Sequence, residues 1–206
     1  MAEETEQTEE SIYYDQRSVA LRTTQSICFV GEHDKVALFE LMMQNHKDMQ
    51  VVIVVKSKKK ADALSTLLNA KALNAAAVHG NHREAQQQEA AAKFNLASLN
   101  VIITTDMILK TLALENIKLV VSYDLPDDMQ EYYNRLALMK EQGISIALIS
   151  PEDEPVLTDI EYNMKKEIDE KVIEGFVSTP APKHRNKAKK DRTKKPRHRK
   201  NKATKE

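Results

Sequence analysis

The sequence predicts a doubly wound α/β domain, a mostly parallel sheet flanked by helices. Three observations carry this. Six short strand-like runs alternate with helical stretches, the pattern of βαβ units. Gln50–Val55 (QVVIVV) is a near-continuous β-branched run, as expected of a strand covered on both faces. The chain has 206 residues, of which 41% are hydrophobic, enough for one real core with tails.

The elements follow in order. Ser26–Val30 reads as the first strand. Asp34 suits a cap for a helix from Lys35 to about His46, with Val36, Leu38, Phe39, Leu41 and Met42 as its apolar set. After the Gln50–Val55 strand comes a helix over about Lys59–Leu73, then a short strand at Ala75–Val78. Glu84–Phe94 is helical, rich in Ala and Gln. Asn100–Thr104 and Lys118–Ser122 are the next strands. Asp127 and Asp128 open a helix to about Lys140. Ile144–Ile149 is the sixth strand, and Pro151 starts a helix over Glu152–Asp169. The division is an acidic N-terminus (1–20), the α/β domain (21–176) and a basic tail (177–206), with both ends expected to be disordered.

Charge is distributed unevenly behind a net of zero. From Lys183 to Glu206 the net charge is +11, so residues 1–182 carry −11. This asymmetry points to a polyanionic partner for the tail. The tail contains no aromatic residue, which disfavours base stacking and leaves phosphate attraction. The single cysteine, Cys28, excludes an internal disulfide framework and suits a reducing compartment. No apolar run is long enough to span a bilayer, and the acidic start is unlike a secretory or mitochondrial leader. A cytoplasmic protein is expected, or a nuclear one if the source is eukaryotic.

Several chemistries have no motif here. The chain has four glycines, and neither G-x-x-x-x-G-K-[ST] nor G-x-G-x-x-G occurs. His79 and His82 have no neighbours at zinc-ligand spacing, and no serine sits in a nucleophile elbow. No catalytic residue and no metal site is assigned.

What remains lies at the carboxyl ends of the strands, where open α/β sheets place their ligands. Lys56-Ser57-Lys58 follows the second strand, His79-Gly80 the third, Thr104-Thr105-Asp106 the fourth and Tyr123-Asp124-Leu125-Pro126 the fifth, with Arg135 on the next helix. A hydroxyl and lysines gathered at a helix start suit an anion, and equally an ordinary solvated helix end. Likewise, Gly80 suits either a ligand contact or a plain turn.

From about Ser26 to Gly175 this arrangement resembles the C-terminal RecA-like domain of DEAD-box RNA helicases. Val54–Asp62 is similar to motif IV, Thr104-Thr105-Asp106 to the A-T-D of motif V, and Asn134-Arg135 to the start of motif VI. The resemblance implies RNA contacts from Lys56, Ser57, Lys58, His79, Gly80, Thr104 and Thr105. In the tail it adds Lys189, Lys190, Lys194, Lys195, Arg197 and Arg199. Asp106 and Arg135 are motif remnants.

The chain departs from the family pattern at several places. Glu84 and Gln87 stand where Q-x-x-R is expected. Ala113 replaces the ribose-binding Asp, and a methyl group accepts no hydrogen bond. The last two motif VI arginines fall on Leu138 and Glu141. An arginine finger can be worth ~10³–10⁵ in phosphoryl-transfer rate. Nor does the sequence contain the partner domain with its P-loop and D-E-A-D box. The expectation is an RNA-binding protein derived from a helicase, without autonomous ATPase activity and without a cofactor, since the site fits ATP poorly. Two alternatives stand beside it: a module docking on a separate helicase or RNA-processing protein, and a helicase subunit active with a partner domain.

Overall fold

The computed structural model describes residues 18–180 apart from Asn45, Lys47, Asp48, Lys140 and Glu141. Seven strands form one sheet: β1 (Thr24–Phe29), β2 (Val51–Val54), β3 (Ala75–Val78), β4 (Val101–Thr104), β5 (Leu119–Ser122), β6 (Ile144–Ile149) and β7 (Asp169–Glu170). Their order is β3-β4-β2-β5-β6-β1-β7, and every pairing is parallel. The helices are α1 (Lys35–Gln44), α2 (Lys58–Ala70), α3 (Glu84–Asn95), the single turn α4 (Asp106–Leu109), α5 (Met129–Ala137) and α6 (Glu154–Met164).

The strand alternation sorts the core into two layers. Val51 and Ile53 of β2 point to one face, with Leu38, Phe39 and Met42 of α1 and Leu64 and Leu68 of α2. Val52 and Val54 point to the other, with Phe94 of α3, Tyr132 and Leu136 of α5 and Ile160 of α6. All four β2 side chains are fully buried, each contributing on the order of 1.5–3 kcal/mol. This is why the run is apolar without alternation.

The ends of the domain differ from the sequence expectation. A helical turn covers residues 18–22, and Val19 and Ala20 belong to the core, so packing begins before residue 21. The last helix stops at Met164, not Asp169, because Lys165 takes the left-handed conformation (φ 53°). Glu161 then accepts a hydrogen bond from the Ile168 N–H at 2.8 Å, and Ile168 enters the core. Asp169–Glu170 pairs with Ser26–Ile27 as a seventh strand, beyond the six expected. Residues 177–180, assigned to the tail, remain on the body through contacts of Thr179 with Asp34. That carboxylate serves Thr179, where the sequence suggested a helix cap. The acidic residues 1–15 and the tail cations Lys189, Lys190, Lys194, Lys195, Arg197 and Arg199 lie outside the described residues.

Candidate nucleic-acid interface

The carboxyl ends of β1, β2, β5 and β6 meet at one rim. Asp124, just past β5, is its hub. One carboxylate oxygen accepts from the Lys56 backbone N–H (2.9 Å). The other lies 2.7 Å from Lys60 Nζ and 3.6 Å from Lys35 Nζ. Lys35 is 1% exposed and also lies 3.0 Å from Glu32 and 3.4 Å from Asp153. Asp153 in turn accepts from the Ser150 hydroxyl at 2.6 Å and the Ser150 N–H at 3.1 Å.

Burial would normally strip a lysine of its proton or protonate a carboxylate. Here the partners outweigh it. Burial opposes the charge on Lys60, yet its bonds to Asp124 and Glu32 raise its pKa. Burial likewise opposes ionisation of Asp153, but Ser150 and Lys35 hold its pKa below the usual carboxylate value. Tyr123, edge-on to Phe39, has its phenol pushed up to about 12 by burial, with Glu32 and Asp124 adding to the effect.

A second clamp joins α4 and α5. Arg135, 1% exposed, donates through Nε and Nη2 to the two oxygens of Asp106, each at 2.7 Å. Its Nη1 donates to the Asp124 carbonyl at 2.7 Å. The planar fork matches a carboxylate bidentately, and the carbonyl takes the remaining edge. The two motif remnants are thus bonded to each other and hold the Tyr123–Pro126 turn in place.

The exposed part of the rim is built from two helix starts. Ser57 caps α2, its hydroxyl accepting from the Lys60 N–H at 3.2 Å. Lys58 reaches the turn after β3, where its Nζ donates to Asn81 Oδ1 at 2.8 Å. Gly80 lies beneath: a Cβ there would sit 3.6 Å from Lys58 Nζ. The Lys56 ammonium pairs with the exposed Asp127 at 2.7 Å. Lys56, Ser57, Lys58, Lys59, Gly80, Asn81 and Arg83 are all exposed. The first-turn amides of α2 add partial positive charge there.

Two of the expected contact residues face inward. His79 is buried, its Nε2 2.9 Å from Asp62 Oδ1 and its ring stacked on His82 at 4.2 Å. The side chain orders the turn and is not available to a strand of RNA. Thr104 is fully buried at the end of β4, while Thr105 is half-buried at the start of α4. Sequence reasoning missed Asn81 and Arg83, and assigned no role to Glu32, Lys35 or Asp153. A lysine at a helix start reads as solvent-facing, and only the crossing of β1, β5 and β6 brings carboxylates around Lys35. Of the positions facing ATP in the resemblance, Ala113 is exposed and Leu138 half-buried, and Glu141 is outside the described residues. Among the described residues no group of His, Cys, Asp and Glu is arranged for a metal, and no helix is long and apolar enough to cross a membrane.

The helicase conserved C-terminal domain family matches residues 34–137, just over half of the chain. The chain belongs to this family. It is 30% identical over 124 residues to ATP-dependent RNA helicase eIF4A of Mycosarcoma maydis, covering 59% of this chain and 30% of that protein. It therefore spans under a third of that relative's length. The structure superposes on a DEAD box protein from the hyperthermophile Methanococcus jannaschii with TM-score 0.70 and 22% identity, over 75% of this chain and 43% of that one. It also matches Escherichia coli DEAD-box protein SrmB bound to regulator of ribonuclease activity A (TM-score 0.70, 18% identity, 78% of this chain and 96% of that one). The helicase C-terminal domain thus accounts for the parallel seven-stranded sheet and for the order of motifs along the rim.

Proposed function

We propose that this helicase C-terminal domain binds RNA backbone without hydrolysing ATP by itself. One observation carries the reading: Lys58, Asn81 and the α2 N-terminus converge at an exposed rim, whereas Lys35 and Lys60 are neutralised internally. Lysines, an amide and free helix N–H groups recognise phosphate without reading sequence. The basic tail supplies long-range attraction. Four residues argue against autonomous catalysis: Ala113, Leu138 and Glu141 offer no group for nucleotide, and Arg135 is occupied by Asp106 and Asp124. No cofactor enters this reading, and the setting is cytoplasmic.

A second reading is favoured by the net charge of −11 on residues 1–182, which disfavours broad RNA contact by the body. There the body docks on a protein, such as a separate helicase domain or RNA-processing partner. SrmB, of the same fold, is bound to a protein regulator. The deciding experiment measures RNA affinity of the full chain and of a chain ending at Ala181, across salt, with and without ATP. Retention of some affinity by the shorter chain, lost in Lys58→Ala, supports the rim as a contact. Affinity residing in the tail alone favours the protein-docking reading of the body. RNA-stimulated ATP hydrolysis by the purified chain refutes the non-catalytic assignment.

A further inference from the structure

The last described residues return to the body after β7. Ile173 is buried in the α1–α2 layer, and Phe176 packs against it. Three residues later Thr179 meets Asp34 at the start of α1. The Thr179 N–H donates to one carboxylate oxygen at 2.7 Å, and its hydroxyl donates to the other at 2.6 Å. The His33 ring closes the contact, Nε2 lying 3.0 Å from the Thr179 carbonyl oxygen. Gly31 permits this, since a Cβ there would sit 2.7 Å from His33 Cε1. The two Thr179 bonds also hold the Asp34 pKa below the usual value. A single carboxylate therefore clasps the last described residues, a few positions before the basic run begins at Lys183.

We propose that Thr179 is a phosphorylation site and that its modification opens this clasp. The chain holds two Ser/Thr-Pro dipeptides, Ser150-Pro151 and Thr179-Pro180. The fold distinguishes them sharply. Ser150 is buried, and it initiates the helical turn at Pro151–Asp153. Thr179 is exposed and lies in a segment without regular structure. A proline-directed protein kinase needs an accessible acceptor followed by proline, and Thr179 alone of the two offers it. In the reaction the Thr179 Oγ attacks the γ-phosphorus of ATP. The bond from that phosphorus to the β,γ-bridging oxygen breaks, ADP departs, and the hydroxyl proton passes to the kinase base.

The product cannot keep the clasp. Thr179 Oγ loses its proton and becomes an acceptor facing an acceptor. A phosphate of charge about −1.5 to −2 then stands against the Asp34 carboxylate, with Glu32 nearby in the chain. His33 is the cation-capable neighbour on that loop. Repulsion releases residues 177–180, while Ile173 and Phe176 remain as the next anchors. By linkage, whatever the clasp withholds from the kinase, the phosphate withholds from the clasp.

The test treats the full-length chain with ATP and a mitogen-activated protein kinase, and maps the product by mass spectrometry. Phosphate on Thr179, none on Ser150, and none on Thr179→Val at that position are expected. Asp34→Ala should be modified several-fold faster, because the hydroxyl is no longer held. The Thr179 amide of the modified chain should lose its protection from hydrogen exchange to the level of Asp34→Ala. A synthetic peptide of residues 174–185 serves as the accessible reference. Modification of the peptide but not the full chain overturns the proposal, since the clasp then shuts the site. Modification of neither also overturns it, as does modification of the full chain with unchanged amide protection.

Discussion

The rim of this sheet uses lysine in two opposite ways. Lys35 is withdrawn from water and surrounded by Glu32, Asp124 and Asp153. Lys58, on the neighbouring helix start, is exposed and holds a single neutral amide. Both lysines open helices that follow strands, so local sequence treats them alike. The difference lies in what faces them. Three carboxylates converge on Lys35, making its charge part of the fold. Little faces Lys58 but Asn81, so its charge remains available to a ligand. A buried pair stabilises only while complete, whereas an exposed cation contributes almost nothing to folding.

The sharpest way to break this comparison is Lys35→Ala. It leaves Asp153 buried without its cation, while Asp124 keeps only Lys60, and a loss of about 3–5 kcal/mol is expected. Urea denaturation of the purified chain gives the value, and a loss below about 1 kcal/mol would mean that the network relaxes or hydrates freely. Arg135→Lys comes next. Lysine keeps the charge but cannot span both Asp106 oxygens and the Asp124 carbonyl, so about 2–3 kcal/mol should be lost. The same denaturation assay checks it, and full rescue by lysine would show that charge and not the fork holds the clamp.

Acid sharpens the comparison further. Asp34 and Asp153 have folded pKa values below the ordinary one. Their stabilisation is present above the unfolded pKa of about 3.9 and is lost as pH falls through the folded values. Thermal stability should therefore hold near pH 6 and fall steadily below about pH 4, and in Asp153→Asn this acid-side slope should be shallower. The smallest effect on folding is expected at Lys58→Ala, within about 0.5 kcal/mol of the parent chain. Its RNA affinity should nevertheless fall by roughly 3–10-fold at low salt, as loss of about one phosphate contact requires. Filter binding and melting curves on one preparation separate the two outcomes.

Much of the architecture was legible in the chain. β3 and β6 fall on the expected residues, and β2 announces its two-sided burial by four consecutive β-branched residues. β7 was illegible because Asp169-Glu170 has no strand-like side chains, and it forms only because β1 offers an open edge. The end of α6 was hidden for a related reason, since no glycine marks the stop and Lys165 takes the left-handed turn itself. At the site, the grouping of Lys56–Lys58 with Gly80 and of Asp106 with Arg135 follows from strand ends meeting at one rim. The inward turn of His79 and Thr104 does not, because a residue type at a strand end does not say which way it points.

By itself the sequence determined the alternation of elements, the two-sided core and the concentration of basic charge in its last residues. These depend on local pattern and composition, which each segment carries alone. Tertiary structure decided which charges are spent on the fold and which are left free. Asp124 gathers Lys35, Lys56 and Lys60 from 64 to 89 positions away along the chain, Arg135 reaches back 29 positions to Asp106, and Thr179 closes on Asp34 across 145. A Coulomb interaction or hydrogen bond depends on distance through space, and parallel crossovers bring together groups that the sequence keeps far apart.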